Sequence, residues 1–154
     1  MRQLGNLAKI PEFDKAFWKH LGDEICDEIR VQTQVNSKDV HNRKFKAYSR
    51  GYAERKPKIR RGSGSGSKVN LTLTGDMMRN LKTRGFSKDS VIIGWSGVDA
   101  QKVQHNEEMG RSVTTKSRPL SKGSLRLIEV QTNKRIKRNA DKETAKPINF
   151  KIGK

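Results

Sequence analysis

Apolar side chains recur every fourth residue at Phe13, Phe17, Leu21, Ile25 and Ile29, and Trp18 and Cys26 widen the stripe. A period near 3.6 places these on one face of a helix running from roughly Asp14 to Gln34, with Asp23, Glu24, Asp27 and Glu28 on the other faces. Asp14 suits the N-cap, where a carboxylate accepts from first-turn amides. Beyond Asn36 the period is lost to turn formers and basic residues. The segment closes in the Gly/Ser repeat from Gly62 to Ser67, which predicts a flexible loop tip. Tyr48 and Tyr52, one helical turn apart, can anchor the start of this arm to the body.

Val69, Leu71 and Leu73 alternate with Asn70, Thr72 and Thr74, the pattern of a half-buried strand. Gly75-Asp76 then opens a short helical turn carrying Met77, Met78 and Leu81. Leu81 to Phe86 and Val91 to Trp95 predict a hairpin whose second strand, rich in Val and Ile, is fully buried. Asp99 caps a short helix through Val103 that Gly110 stops. A returning strand is expected over 112–117, broken by Arg118-Pro119. A second amphipathic helix follows from Ser121 to Asn139, with Leu125, Ile128, Thr132 and Ile136 on one side. In the tail, Ile148, Phe150 and Ile152 alternate, a pattern that can add as an edge strand to a neighbour.

These elements predict an α+β fold: a small antiparallel sheet packed by a long N-terminal helix and a C-terminal helix. At 154 residues the chain is read as a single domain, 1–154. Its parts are a helix over 13–35, a basic Gly/Ser-tipped arm over 36–68, sheet and helices over 69–139, and an extended tail over 140–154. Only 32% of residues are hydrophobic, so the core is small and neighbouring subunits are expected to bury what the chain cannot.

The net charge of +18 is concentrated. Residues 41–68 hold ten basic residues against one acidic, and 111–154 hold thirteen against three, whereas 1–40 and 69–110 are close to neutral. Two nearly single-sign blocks on a neutral scaffold point to an anionic partner such as nucleic-acid phosphate. The single cysteine excludes an intrachain disulfide and a thiolate metal cluster. The N-terminus has no apolar signal core and no stretch approaches the roughly 18 apolar residues of a membrane span, so a soluble protein made in the cytoplasm, with no membrane partner, is expected.

Catalytic signatures are sparse. His105 beside Asn106 raises a His-Asn-His type nuclease, but no second metal-binding histidine or acidic partner follows at suitable spacing. The Gly62, Gly64, Gly66 run lacks the Gly-Lys-Ser/Thr ending of a phosphate-binding loop. No catalytic residue, metal site or cofactor is therefore expected, and the chain is read as a non-enzyme.

An ordered set of short cues remains: Phe45-Lys46-Ala47-Tyr48-Ser49 with Tyr52-Ala53 and Lys56, then Val69 to Leu81, Val91 to Trp95, His105 to Arg111, and Arg118-Pro119. In that order they resemble the virion-morphogenesis, tail-completion and neck proteins of tailed bacteriophages, over most of the chain from about Phe13 to Ile136. The Gly110 of the His-Asn-Glu-like element follows His105 after four residues, longer than the usual run. The resemblance implies a structural protein of the virion neck, a head-tail connector subunit in a ring of six or twelve copies that joins the DNA-filled head to the tail. Portal or adaptor proteins would lie on one side and tail-terminator or tail-tube proteins on the other. Arg55, Lys56, Lys58, Arg60, Arg61 and Lys68 would line the lumen against packaged DNA, bound without sequence preference. Subunits would meet through an acidic face of Glu24, Glu28, Glu107 and Glu108 against the basic Lys134, Arg135, Lys137 and Arg138. The alternative is a non-specific nucleic-acid-binding protein.

Overall fold

The structure is a computed structural model, and it describes residues 13–59, 68–72 and 75–144. The Gly/Ser repeat, Leu73 and the alternating tail segment lie outside the described residues. The fold is α+β, with a two-stranded antiparallel sheet and a long helix near each end.

Helix α1 spans Lys15–Arg30 and continues into a π-helical stretch, Val31–Val35. Its start is set by Asp14, in extended backbone conformation, whose carboxylate accepts from the Phe17 amide at 2.7 Å. Leu21, Ile25, Cys26 and Ile29 are buried along the expected stripe and form one core with Phe45, Val69, Met77, Met78, Leu81, Val103 and Val113. Each such side chain removed from water contributes about 1.5–3 kcal/mol.

Two further elements dock on opposite flanks of α1. Strands β1 (Lys82–Phe86) and β2 (Val91–Gly94) form the expected hairpin, with an irregularity in register between Thr83 and Gly85. The hairpin meets α1 at Gly22 and Asp23: Thr83 Oγ1 donates to Asp23 Oδ1 at 2.8 Å, and Trp18 Nε1 donates to the Lys88 carbonyl at 2.7 Å. Helix α5, Lys122–Thr144, runs antiparallel to α1 on the side of Glu24 and Glu28. At roughly 100° per residue Gly22 and Asp23 lie about 100–160° from Glu24 and Glu28 around the helix axis. Arg30 closes the end of α1 by donating to the carbonyls of Met78, at 3.1 Å, and Leu81.

Helices α2 (Arg50–Ile59), α3 (Asp76–Asn80) and α4 (Val98–Glu108) complete the body. Several expectations are corrected. The basic arm is not loop throughout, because α2 occupies its centre. Val69 to Thr72 form no strand, since Leu71 takes a left-handed conformation (φ 50°) and its amide is used by a side chain. Residues 112–117 are likewise irregular. Strand β2 is covered on one side only, leaving Ile92 64% exposed. Asp99 lies in the first turn of α4 while Gly97, at φ 57°, holds the cap position. α5 runs five residues past Asn139, so 140–144 are helical rather than extended.

Gly22 marks how closely the hairpin approaches α1. A Cβ there would lie 2.6 Å from Val91 Cγ2 and 2.7 Å from Thr83 Oγ1, whereas one on Gly51 of α2 would meet nothing within 4 Å. Alanine at the two positions is therefore expected to act with opposite sign in urea unfolding. Gly22→Ala should cost about 1–2 kcal/mol, because overpacking outweighs the gain in helix propensity, and Gly51→Ala should gain about 0.5 kcal/mol.

Candidate functional site

The densest arrangement of polar and aromatic groups centres on Tyr48. The chain reaches it through buried Phe45 and then Lys46 and Ala47, whose carbonyls each accept at 3.0 Å from the Arg111 guanidinium. The same guanidinium lies 5.0 Å from the Tyr48 ring centroid. Lys56, on α2, brings its ammonium within 4.9 Å of that ring. Tyr52 packs edge-on against it at 4.8 Å. Two cations on the electron-rich ring gain attraction that strengthens as water is excluded.

The hub also fixes the segment expected as a strand. Tyr48 Oη accepts from the Leu71 amide at 3.1 Å, and Lys56 Nζ donates to Asn70 Oδ1 at 2.5 Å, an oxygen that also accepts from the Thr72 amide at 3.1 Å. Lys56 is 0% exposed, and burial holds its pKa below the ordinary lysine value. Burial pushes the Tyr48 phenol the other way, upward. Three stretches distant in sequence, 45–56, 70–72 and 111, are thereby held together. Beside them opens a cleft of about 460 Å³, walled by Tyr48, Tyr52, Leu71, Met77 and Met109 and rimmed by Lys102 and His105.

This placement corrects the expected DNA-facing set. Lys56 is a buried structural cation and cannot line a lumen, while Arg55, Lys58 and Lys68 are exposed. Arg60 and Arg61 lie outside the described residues. Of the residues expected at a subunit interface, three meet this chain's own side chains. Glu28 accepts from Ser124 Oγ at 2.6 Å and from Ser121 Oγ at 3.3 Å, Glu24 accepts from Gln131 Nε2 at 2.9 Å, and Arg135 pairs with Asp14 at 2.6 Å. These groups bind the chain's own α1 to its own α5. Glu107 and Glu108 sit apart from them at the end of α4, and Lys134, Lys137 and Arg138 remain exposed on α5.

The His105 side chain is 71% exposed, and the carboxylate paired with it, on Glu108, is 3.7 Å away. Among the described residues no group of three or more His, Cys, Asp or Glu side chains is placed to hold a metal ion. Cys26 is buried in the core, and its thiol is pushed up to about 11, so it is no ready nucleophile. Also among the described residues, no helix is long and apolar enough to cross a membrane. Comparisons of the chain with protein-family models, curated proteins and solved structures find no match.

Sequence reasoning named Tyr48 and Lys56 but missed that Arg111 completes the hub, because an arginine after a glycine in a basic segment reads as surface charge. Burial of Lys56 sets a pH dependence of stability. Its folded pKa lies below the unfolded value, so the unfolded chain binds more protons in the window below about 10.5 and stability rises with pH across it. Tyr48, with a raised folded pKa, acts oppositely above about 10. Chemical denaturation from pH 7 to 10 is expected to show that rise in the wild type and to lose it in Lys56→Met. Lys56→Ala should cost about 2–4 kcal/mol at pH 7 through the cavity and the acceptor it leaves.

Proposed function

We propose that this protein is a structural subunit of a tailed-phage neck, forming a ring of six or twelve copies that joins the DNA-filled head to the tail. The observation that carries the reading is the convergence of its distant sequence cues. Tyr48 with Lys56, Leu71 with Gly75, and His105 with Arg111 belong to three separate elements of the resemblance, and all border or support one cleft. They act there as hydrogen-bonded and cation–aromatic scaffolding. Such a role suits a protein whose task is shape and assembly.

In this reading the exposed cations serve two surfaces. Arg55 and Lys58 on α2, with Lys68, face packaged DNA and neutralise phosphate without reading bases. Lys134, Lys137 and Arg138 meet portal-side or tail-side proteins, or acidic groups such as Glu108 on the next subunit. A cyclic ring uses two different patches of one surface, which this separation of charge provides. Non-specific nucleic-acid binding as the main function is the second reading, favoured by the two basic blocks. Both readings put the protein in contact with DNA, and only the first places it in the virion.

The decisive measurement is electron microscopy of lysates lacking the protein. Filled heads and complete free tails that fail to join are expected; normal numbers of joined particles would eliminate the neck assignment.

Purified protein is expected to bind duplex DNA with a steep salt dependence. The double substitution Arg55→Ala with Lys58→Ala should lower the log–log salt slope by about 1–2, whereas Lys56→Met should leave it unchanged. Filter binding across a salt series provides the check.

A further inference from the structure

The hairpin is incomplete as a sheet. Two strands alone are marginally stable, and here neither outer edge exchanges backbone hydrogen bonds with another element among the described residues. The two edges differ. β1 carries exposed Lys82 and Arg84 and an irregular register at Thr83/Gly85, features that discourage pairing. β2 reads Val91-Ile92-Ile93, uncharged and unbroken, with Ile92, paired with Gly85, 64% exposed, and Phe86, paired with Val91, 45% exposed. An apolar, regular, open edge of this kind is a template for another strand.

The chain carries a matching segment past the described residues. After Thr144, ten residues follow, in which Ile148, Phe150 and Ile152 alternate with Asn149 and Lys151. This is strand periodicity over five residues, one more than the four of β2. Ser124 lies at Glu28 and Arg135 at Asp14, so the last nine residues of α5 project about 13 Å past the start of α1, while β2 meets α1 at Gly22, about 12 Å in from that start. The three steps from Thr144 to Pro147 reach at most about 10 Å, too short to bring the segment onto its own β2.

We infer that residues 147–152 of one copy pair as a third strand on the free edge of β2 in a second copy, covering Ile92. The inference deepens the ring reading, since it names a joint between copies. Backbone hydrogen bonds supply the pairing, and one face of the Ile148, Phe150, Ile152 alternation supplies the register. Because donor and acceptor are different surfaces of the same chain, the contact is heterologous and propagates around a ring.

The test uses sedimentation velocity and amide hydrogen exchange on three proteins: the full chain, a chain ending at Thr144, and the full chain with Phe150→Asp. The full chain should associate with rising concentration, and exchange at Val91–Gly94 should slow in parallel by at least about ten-fold. The shortened chain and Phe150→Asp should stay monomeric with fast exchange there. A synthetic peptide of residues 145–154 added to the shortened chain should restore the slow exchange, and the same peptide with Phe150→Asp should not. Association of the shortened chain to the same extent would overturn the strand joint while leaving the ring reading intact. Protection of Val91–Gly94 that persists in dilute full-length monomer would overturn it in favour of pairing within one chain. A full chain that stays monomeric and unprotected at every concentration would overturn both the joint and the ring.

Discussion

The apolar stripe of α1 is the constraint to which the rest of the body answers. In a chain only 32% hydrophobic, one helix supplies Leu21, Ile25, Cys26 and Ile29 to the core, and the other elements are placed by how they cover it. The hairpin closes onto Gly22, where the missing side chain lets Val91 and Thr83 approach. α5 takes the acidic flank with seryl and glutaminyl donors beside the half-buried Leu127 and Ile128. α3 is drawn in through Met77 and Met78 and tied to the end of α1 by Arg30. Because α1 is contacted on both flanks, a change that loosens one contact is felt as loss of core packing and not as a local loop motion.

Where apolar side chains run out, the fold buries cations. Lys56 and Arg111 do what a Leu pair would do in a richer core, but they need the Tyr48 ring, two backbone carbonyls and Asn70 to offset their desolvation. That arrangement is directional in a way a hydrophobic contact is not. A guanidinium holding consecutive carbonyls of Lys46 and Ala47 fixes the path of the chain before α2, and a phenol oxygen receiving the Leu71 amide fixes the path after it. The cleft between these segments therefore has walls set by hydrogen bonds, even though much of its lining is aromatic or methionine.

The sequence was legible where periodicity and burial coincide. α1, its Asp14 cap and the hairpin follow from spacing that any core would impose, whereas α5 forms where expected but leaves Leu125 and Ile136 of its expected apolar side 52% and 42% exposed. It misled where a local pattern was overridden by a distant partner. Val69-Asn70-Leu71-Thr72 alternates like a strand, yet Lys56 and Tyr48 claim Asn70 and the Leu71 amide, and the segment turns. Lys56 looked like one more cation in a basic arm because nothing local distinguishes it from Arg55 or Lys58. Only the fold, by bringing a ring and an amide oxygen to it, separates a structural lysine from a surface one. Glu24 and Glu28 were read as interface acids for the same reason: their partners, Ser124 and Gln131, are about a hundred residues away.

Sorting the cations this way sharpens the functional argument. Lys56, Arg111 and Arg135 are engaged inside the chain. Exposed cations occur on α2 at Arg55 and Lys58, at Lys68, and on α5 at Lys134, Lys137 and Arg138, but also before α2 at Arg43, Lys44 and Lys46 and on the hairpin at Lys82, Arg84 and Lys88. A protein that only needed solubility would gain as much from mixed signs spread evenly. A net charge of +18 instead costs self-repulsion in the isolated chain, a cost relieved on an anionic partner. In the proposed reading the neck of a DNA-filled particle offers nucleic acid on the axis and protein beside it, and the open strand edge gives that reading a contact between copies.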